Sequence, residues 1–506
     1  VKKFLAALAV AICAATAAPA QTAMPAPLPA INAVPPPTPS PDAMATQPDP
    51  REFVTRADTA LTLLGVQLRF GGLNVSWLGL RSDTGQPQDA RYPTEFELLD
   101  AVRTVRIMGA GYIRVTSLGA SAGCALCLAP APGQINPAAL THIDHVLKLA
   151  RDNGLKIVVP LSGGSPCPAA GALDPVFATQ CTFARWRSLP DAEFYSSPVV
   201  RADFAHYVGQ LLNHLNPETG LLWKDDPTIL AWENCDGCGA ATDPRTLGDW
   251  TEFVGQTIKA IDTHHLYENG AFAGRINTAN AAFLATPSVD IVADAVAPQP
   301  GARPDLFADA LATVLKTGRV YLIDSYAWTP QNWATGDDLQ AFLTALVKHR
   351  EAAAAFASDL GAHADAGGWL PPTRPGMATL YYPGLNTPKM DFDTMTQRAR
   401  AVRRLSYRMT DLLPAAFATV DQPDLLSVQN GKLAWRGAAG AVNYSVSRST
   451  DLTTTGSWTT LCDACVTDEH PTWQDPNVPP GAVWYRITPF NANQHAGLPS
   501  EPVRNK

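Results

Sequence analysis

The sequence predicts an α/β protein: a (β/α)8 barrel followed by a small all-β sandwich. Three observations carry that reading. From about Glu52 to Leu413, short β-branched or apolar runs alternate with amphipathic helical segments, the pattern of βα units on a parallel sheet. Eight such runs begin near Phe70, Tyr112, Lys156, Thr228, Leu266, Val289, Arg319 and Ala355, and no glycine-rich phosphate loop follows the first, which favours a closed barrel over an open dinucleotide-binding sheet. Past Leu413 the pattern changes to alternating short strands.

Taken in order, residues 1–20 read as a secretory signal peptide, with Lys2 and Lys3, an apolar run from Phe4 to Ala15 and an Ala18-Pro19-Ala20 exit. That run is too short to span a bilayer comfortably, and no later run is long and apolar enough to do so. The expectation is a secreted or periplasmic protein with no membrane span. Residues 21–50 are rich in Pro, Ala and Thr, with four prolines between Val34 and Ser40, and predict an extended linker without a core of its own. The remaining chain divides into a barrel at 51–413 and a β-module at 414–506. Acidic side chains outnumber basic ones, 46 to 38, and no basic patch argues for a nucleic-acid partner. A monomer is expected.

One βα unit shows the local logic of the barrel. Asn136 and Pro137 are a cap and first-turn pair, and Leu140, Ile143, Val146, Leu147 and Ala150 then share one helical face. Gly154 ends that helix, and Lys156 to Leu161 follows as a strand buried on both faces. A second unit repeats the pattern: Leu311, Val314 and Leu315 form the helix face, Gly318 ends it, and Arg319 to Tyr326 is the strand.

Nine cysteines include Cys13 in the signal segment. Three pairs have Cys-x-x-Cys spacing: Cys124 with Cys127, Cys235 with Cys238, and Cys462 with Cys465. In an exported chain these predict local disulfides, with Cys167 and Cys181 available for a fourth bridge. The competing zinc reading needs two pairs to converge, and one of them lies far toward the C-terminus. No metal and no cofactor is expected.

Several stretches, in order and spacing, resemble one known family. They are Gly71 to Arg81, Tyr92 to Phe96, Met108 to Val115, Gly123 to Cys127, the Lys224-Asp225-Asp226-Pro227 block leading into Ala231-Trp232-Glu233, Pro287 to Val292, and Ala378 to Gly384. Over roughly Phe70 to Pro383 they resemble glycoside hydrolase family 5, particularly its endo-β-mannanase-like members. The resemblance implies a TIM barrel with its working residues at the C-terminal strand ends. It also implies a β-linked polysaccharide partner of mannan or glucan type.

The same resemblance exposes departures. Where the family has an Asn-Glu pair carrying the general acid/base, this chain has Asp236 and Gly237. At the seventh strand the family's Gly-Glu-Tyr-Gly-Trp type ending is replaced by Asp324-Ser325-Tyr326-Ala327-Trp328, which places Ser325 at the nucleophile position. If Ser325 faces the axis, strand alternation turns Asp324 toward the helices. The sixth strand reads Asp294-Ala295-Val296-Ala297 in place of the family's His-Tyr, and Asp359 to His363 lacks the Trp that floors its sugar subsite.

Arg114 matches the Arg that supports the family's nucleophile. With Trp77, Trp232, Asp236, Tyr326 and Trp328 it is a candidate sugar contact; the alternative is that Arg114 pairs with Asp236 or Glu233 as structure and the Trp residues are packing. A retaining hydrolase needs two carboxyls about 5–5.5 Å apart and an inverting one about 6.5–9.5 Å. Relocated acids could be Asp236 and Asp324, or combinations with Glu268 or Asp294. In the C-terminal region, Trp435, Tyr444, Tyr485 and the Ser500 to Pro502 segment resemble a fibronectin type III module, which implies a spacer. The sequence therefore leaves three readings: a family 5-like protein that binds a polysaccharide without hydrolysing it, an endo-β-mannanase or glucanase with relocated carboxylates, or a structural or protein-interaction module.

Overall fold

The computed structural model describes residues 48–164, 167, 175–237, 243–270, 276–372, 378–417, 419–454 and 456–506. The predicted signal segment and most of the predicted linker lie outside them. Among the described residues no helix is long and apolar enough to cross a membrane.

A three-stranded antiparallel sheet, β1 (Thr55–Ala57), β2 (Ala60–Leu63) and β3 (Val66–Leu68), leads the chain. Val54 and Leu61 from this region join the interior cluster of the barrel with Phe70, Val158, Leu266, Ile291 and Leu322, so the small sheet plugs the barrel's N-terminal end. Eight parallel strands then close in the order expected of (β/α)8 topology: β4 (Phe70–Asn74), β5 (Tyr112–Arg114), β6 (Lys156–Pro160), β9 (Ile229–Glu233), β10 (Leu266–Glu268), β11 (Ile291–Val296), β12 (Val320–Tyr326) and β13 (Ala352–Ala357). Between β6 and β9 lies a two-residue antiparallel pair, β7 (Leu215–Asn216) and β8 (Leu221–Leu222). The eighth barrel strand begins three residues before the expected Ala355, because Ala352 to Ala354 carry no β-branched signal.

The helices follow the periodicity. They are α1 (Glu95–Ile107), α2 (Pro137–Asp152), α3 (Thr179–Trp186), α4 (Pro198–Leu212), α5 (Pro244–Lys259), α6 (Ala281–Leu284), α7 (Ala308–Leu315), α8 (Gly336–Lys348) and α9 (Phe392–Met409). At α2 the Asn136 side chain accepts from Ala138 N at 3.0 Å, and Gly154 adopts φ +64 just past the helix end, so cap and terminator act where the sequence placed them.

Strand β12 departs from simple alternation. Val320 and Leu322 face the barrel interior, whereas Tyr321 and Ile323 pack under the helices. Asp294 of β11 pairs with Ile323 and Ala295 pairs with Ser325, so Asp324 is skipped in that ladder. This bulge lets Asp324 continue inward while Tyr326 turns outward onto Phe342 of α8, ring centroids 5.6 Å apart. The expectation that Asp324 faces the helices is therefore corrected, and the inserted residue is the reason.

Disulfides join Cys124 to Cys127, Cys167 to Cys181 and Cys462 to Cys465. Cys235 is also disulfide-bonded, while its expected partner Cys238 lies outside the described residues.

After α9 come β14 (Asp424–Gln429), β15 (Lys432–Arg436), β16 (Asn443–Ser449), β17 (Thr459–Val466), β18 (Thr472–Gln474), β19 (Trp484–Phe490) and β20 (Val503–Arg504). They form two antiparallel sheets, β14-β15-β18 and β17-β16-β19-β20, around one core that includes Trp435, Tyr444, Tyr485 and Ile487. The module is fastened to the barrel by a buried histidine. His363, fully buried after the last barrel strand, meets Asp100 of α1 at 2.9 Å through Nδ1 and Asp468 of the module at 3.2 Å through Nε2. Asp468 also accepts from Trp435 Nε1 at 3.1 Å and the Tyr444 hydroxyl at 2.5 Å. Gly437 admits the contact, since a Cβ there would lie 2.6 Å from the imidazole ring.

Burial disfavours the charged imidazole, but the two carboxylates outweigh it and push the His363 pKa up to about 10. A histidine whose folded pKa is raised contributes stability that is complete below its unfolded pKa, about 6.5, and lost as pH rises through the folded value. Thermal unfolding measured from pH 6 to 10.5 is expected to show melting temperature falling across that window, and less steeply in His363→Ala. The variant should lose about 3–5 kcal/mol at pH 6–7 because two buried carboxylates lose their partner. Parallel pH profiles for the two proteins would refute the link.

Candidate functional site

At the C-terminal end of the barrel, one guanidinium meets several carboxylates. Asn74 at the end of β4 pairs in register with Arg114 at the end of β5, and Glu233 of β9 pairs in register with Glu268 of β10. These side chains thus form one layer of the interior. Arg114 binds Glu233 in a fork, Nε to Oε2 and Nη2 to Oε1, both at 2.6 Å. Its Nη2 also donates to Asp236 Oδ1 at 2.8 Å and its Nη1 to Asn74 Oδ1 at 3.1 Å. Asp324 Oδ2 stands 3.8 Å from the same Nη2, an ion-pair distance but not a hydrogen bond. Asn74 in turn donates to the Asp324 backbone carbonyl at 2.8 Å, tying the first strand to the bulge.

Glu233, Glu268 and Asp324 are each 0% exposed. Neither carboxyl oxygen of Glu268 or Asp324 has a hydrogen-bond partner among the described residues. Burial pushes the Glu233 pKa up to about 7 against the pull of Arg114. Burial also drives Glu268 and Asp324 well above the usual carboxylate range; Arg114 opposes this, and the charges of Glu233 and the neighbouring acids add to it. One fixed cation cannot neutralise four carboxylates, so Glu268 and Asp324 are held protonated. Asp236 differs, because 22% of its side chain is exposed while it keeps its contact with Arg114.

The carboxylate oxygens of Glu233, Glu268 and Asp324 lie within 4.8 Å of one another. A hard cation would find oxygen ligands there, but the guanidinium of Arg114 already occupies the face toward Glu233. A second close group, Cys167, Cys181 and Asp191, has its two sulfurs joined to each other and offers no thiolate pair.

The structure sorts the sequence candidates. Arg114, Glu233, Asp236 and Asp324 converge, with Glu268 beside them. Gly237 follows Asp236 in a left-handed turn, φ +78, with nothing within 4 Å of where a Cβ would stand. Ser325 is half-buried at the bulge rather than inside the carboxylate layer.

The aromatic candidates are corrected: Trp77, Trp232, Tyr326 and Trp328 are at most 1% exposed, so they offer no stacking face to a sugar. Trp77 Nε1 donates to the Leu360 carbonyl at 2.8 Å, Trp232 Nε1 to Asp262 at 2.6 Å, and Trp328 Nε1 to the Ser358 carbonyl at 2.6 Å. Trp232 faces the helices because its neighbour Glu233 faces the axis. Asp294 turns toward β12 and accepts from the Tyr321 hydroxyl at 2.8 Å. Beside it, exposed Ala295 opens onto a cleft of about 930 Å³ bounded by Asn277, Gln299, Ala302 and Phe307. Asn74 was missed from sequence, its only signal being a polar residue that ends an apolar strand.

The chain resembles known proteins in the region that builds this layer. A family model described as GH family 5 beta-mannosidase-like matches residues 51–291. Mannan endo-1,4-beta-mannosidase 1 of Arabidopsis thaliana is 28% identical over 223 residues, covering 43% of this chain and 50% of the relative. Mannan endo-1,4-beta-mannosidase 1 of Oryza sativa subsp. japonica is 28% identical over 230 residues, covering 43% and 48%. The chain thus spans about half the length of these curated relatives. Among solved structures, the glycoside hydrolase family 5 mannosidase from Rhizomucor miehei aligns at TM-score 0.57 and 14% identity, covering 72% of this chain and all of that one. The endo-beta-1,4-mannanase from Thermotoga petrophila aligns at TM-score 0.53 and 14% identity, covering 87% and 98%. The structural likeness establishes the shared barrel, and the family model with the mannanase relatives supports its relationship to the glycoside hydrolase family 5 mannosidases.

Proposed function

We propose that the protein is an exported polysaccharide-binding member of this group, which holds a β-linked mannan or glucan chain at the barrel mouth without hydrolysing it. The observation that carries the reading is the state of the carboxylates around Arg114. Retaining hydrolysis needs an ionised nucleophile and a protonated acid, both reaching the glycosidic bond. Here Glu233 is locked in the Arg114 fork, Glu268 and Asp324 are buried and protonated, and the residue after Asp236 is a glycine. Asp324 is also one methylene shorter than the family's Glu. Polar backbone and side-chain groups around the mouth can still hold sugar hydroxyls.

A second reading, a hydrolase with relocated acids, rests on Asp236. It is the carboxylate of this layer with solvent exposure, and it shares Arg114 Nη2 with protonated Asp324.

Purified protein is expected to release no reducing sugar from mannan, glucan or xylan, yet to be retarded in gels cast with its polymer. Turnover that disappears in Asp236→Asn would replace this proposal with the relocated-acid enzyme; absence of both turnover and retardation would leave a structural module.

Installing glutamates is not expected to restore activity. The structure moves the appropriate second position from 325 to 324, so the variant to make is Gly237→Glu with Asp324→Glu. A non-glycine residue at φ +78 costs about 1–2 kcal/mol, and Ala295 and Val296 provide no side-chain hydrogen bond to aim a nucleophile. Misplacement by about 1 Å costs on the order of 10²-fold. Rates on mannan oligomers close to those of ordinary family members would show instead that only two carboxylates were lost.

A further inference from the structure

Helix α9 is unusual in its charge. It carries Arg398, Arg400, Arg403, Arg404 and Arg408 against one acid, Asp393, in a chain whose net charge is -8. Among the described residues none of the five arginines forms an ion pair. Two are satisfied as buried structure. Arg398 donates to the Trp328 and Trp333 carbonyls, both at 2.7 Å, and Arg403 to the carbonyls of Ile107 at 3.0 Å and Ala415 at 2.8 Å. Arg404 spends one nitrogen on Gln340 Oε1 at 2.8 Å. Arg400 is exposed and engages no acid.

Arg400 and Arg404 are one helical turn apart and border the same cavity of about 460 Å³. Like charges at that spacing destabilise a helix unless something answers them. Burial, together with the charges of Arg408 and Arg400, pushes the Arg404 pKa down. The rest of the lining is mixed. Phe392, Pro383 and Val442 form an apolar wall, Gln397 and Thr396 add polar groups, and Asp393 is the one acid of the lining. The Thr396 hydroxyl is buried without a hydrogen-bond partner among the described residues. Gly384 leaves room for it, since a Cβ there would stand 2.4 Å from Thr396 Oγ1.

These features ask for a ligand with an anionic end, an apolar face and hydroxyls. We infer that the cavity binds an acidic sugar, a uronate residue, with its carboxylate on Arg400 and Arg404 and its ring against Phe392 and Val442. Planar guanidinium forks match a carboxylate. The C–H face of a pyranose covers the apolar wall, which a bare inorganic anion would leave wet. Thr396 and Gln397 meet ring hydroxyls. The cavity volume lies within the range of small-molecule sites. Because it is built on α9 and the start of the β-module, this site goes beyond the barrel-mouth reading and does not depend on it.

The test is calorimetric titration of the full chain with glucuronate, glucose and inorganic phosphate, on wild type, Arg400→Gln and Arg400→Gln/Arg404→Gln. Glucuronate is expected to bind at least tenfold more tightly than either comparison ligand, to weaken at least tenfold in Arg400→Gln, and to lose affinity with added salt. Arg400 is exposed, so its variant should keep the wild-type melting temperature and remains the deciding protein if the double variant unfolds. Phosphate binding as tightly as glucuronate, undiminished binding in Arg400→Gln, or no glucuronate binding would each overturn the assignment. Retardation by mannan is expected to be unchanged in Arg400→Gln, which separates failure of this site from failure of the mouth.

Discussion

The charge of Arg114 is the constraint on which the barrel mouth depends. A guanidinium so deeply buried needs acceptors for its donors, and the strand ends supply them: the Glu233 fork, Asp236 and the Asn74 amide. Removing one partner of such a buried pair typically costs 3–5 kcal/mol, far more than the pair adds when complete. Strand ends from opposite sides of the barrel are therefore held in one register by a single side chain, whatever the site does chemically. This explains how the Arg and the Trp-Glu run can persist in a chain with Gly237 where the resemblance calls for an acid. They belong to the frame as much as to catalysis.

The bulge in β12 decides which acid joins that frame. Regular alternation would carry Asp324 inward and Tyr326 with it. Inserting one residue keeps Asp324 inside but turns Tyr326 onto α8. The barrel interior thereby gains a carboxyl it cannot ionise and loses a phenol that could have bordered the mouth. Asn74 reinforces the arrangement, holding the Asp324 carbonyl with one end of its amide and Arg114 with the other. The same network that orders the mouth keeps its central acids neutral, an electrostatic state suited to recognition by hydrogen bonds rather than to nucleophilic attack.

How much of this could be read from the residues follows the physical basis of each signal. Helices such as α2 were legible because cap, apolar period and glycine terminator act locally, and the eight strands because parallel strands buried on both faces leave continuous apolar runs. The β12 bulge was not legible. Its signature is a pairing with β11, a long-range fact that leaves no mark in the order Asp324-Ser325-Tyr326, and the motif comparison accordingly assigned the inward position to Ser325. The tryptophans misled for another reason: a Trp near a strand end fits both a sugar platform and a buried indole. Only the partners of Nε1, here Leu360, Asp262 and Ser358, separate the two. Glu268 could be named but not ranked, because its isolation from any donor is a property of the assembled interior.

The β-module, expected to be a spacer, is joined to the barrel by more than chain continuity. A spacer held by a flexible hinge would leave no buried charge between the two parts, whereas His363 places an imidazolium between a barrel carboxylate and a module carboxylate. Such a contact is costly to break, since separation would strand Asp100 and Asp468 without their shared cation. The module therefore moves with the barrel. Val442 at its start then stands as a fixed wall opposite the arginines of α9, so the cavity there has the preformed geometry that ligand recognition requires. The polar clamp on one side of the junction and the unpaired arginines on the other are consequences of the same rigid seam, one of them satisfied within the chain and the other left to be satisfied from outside it.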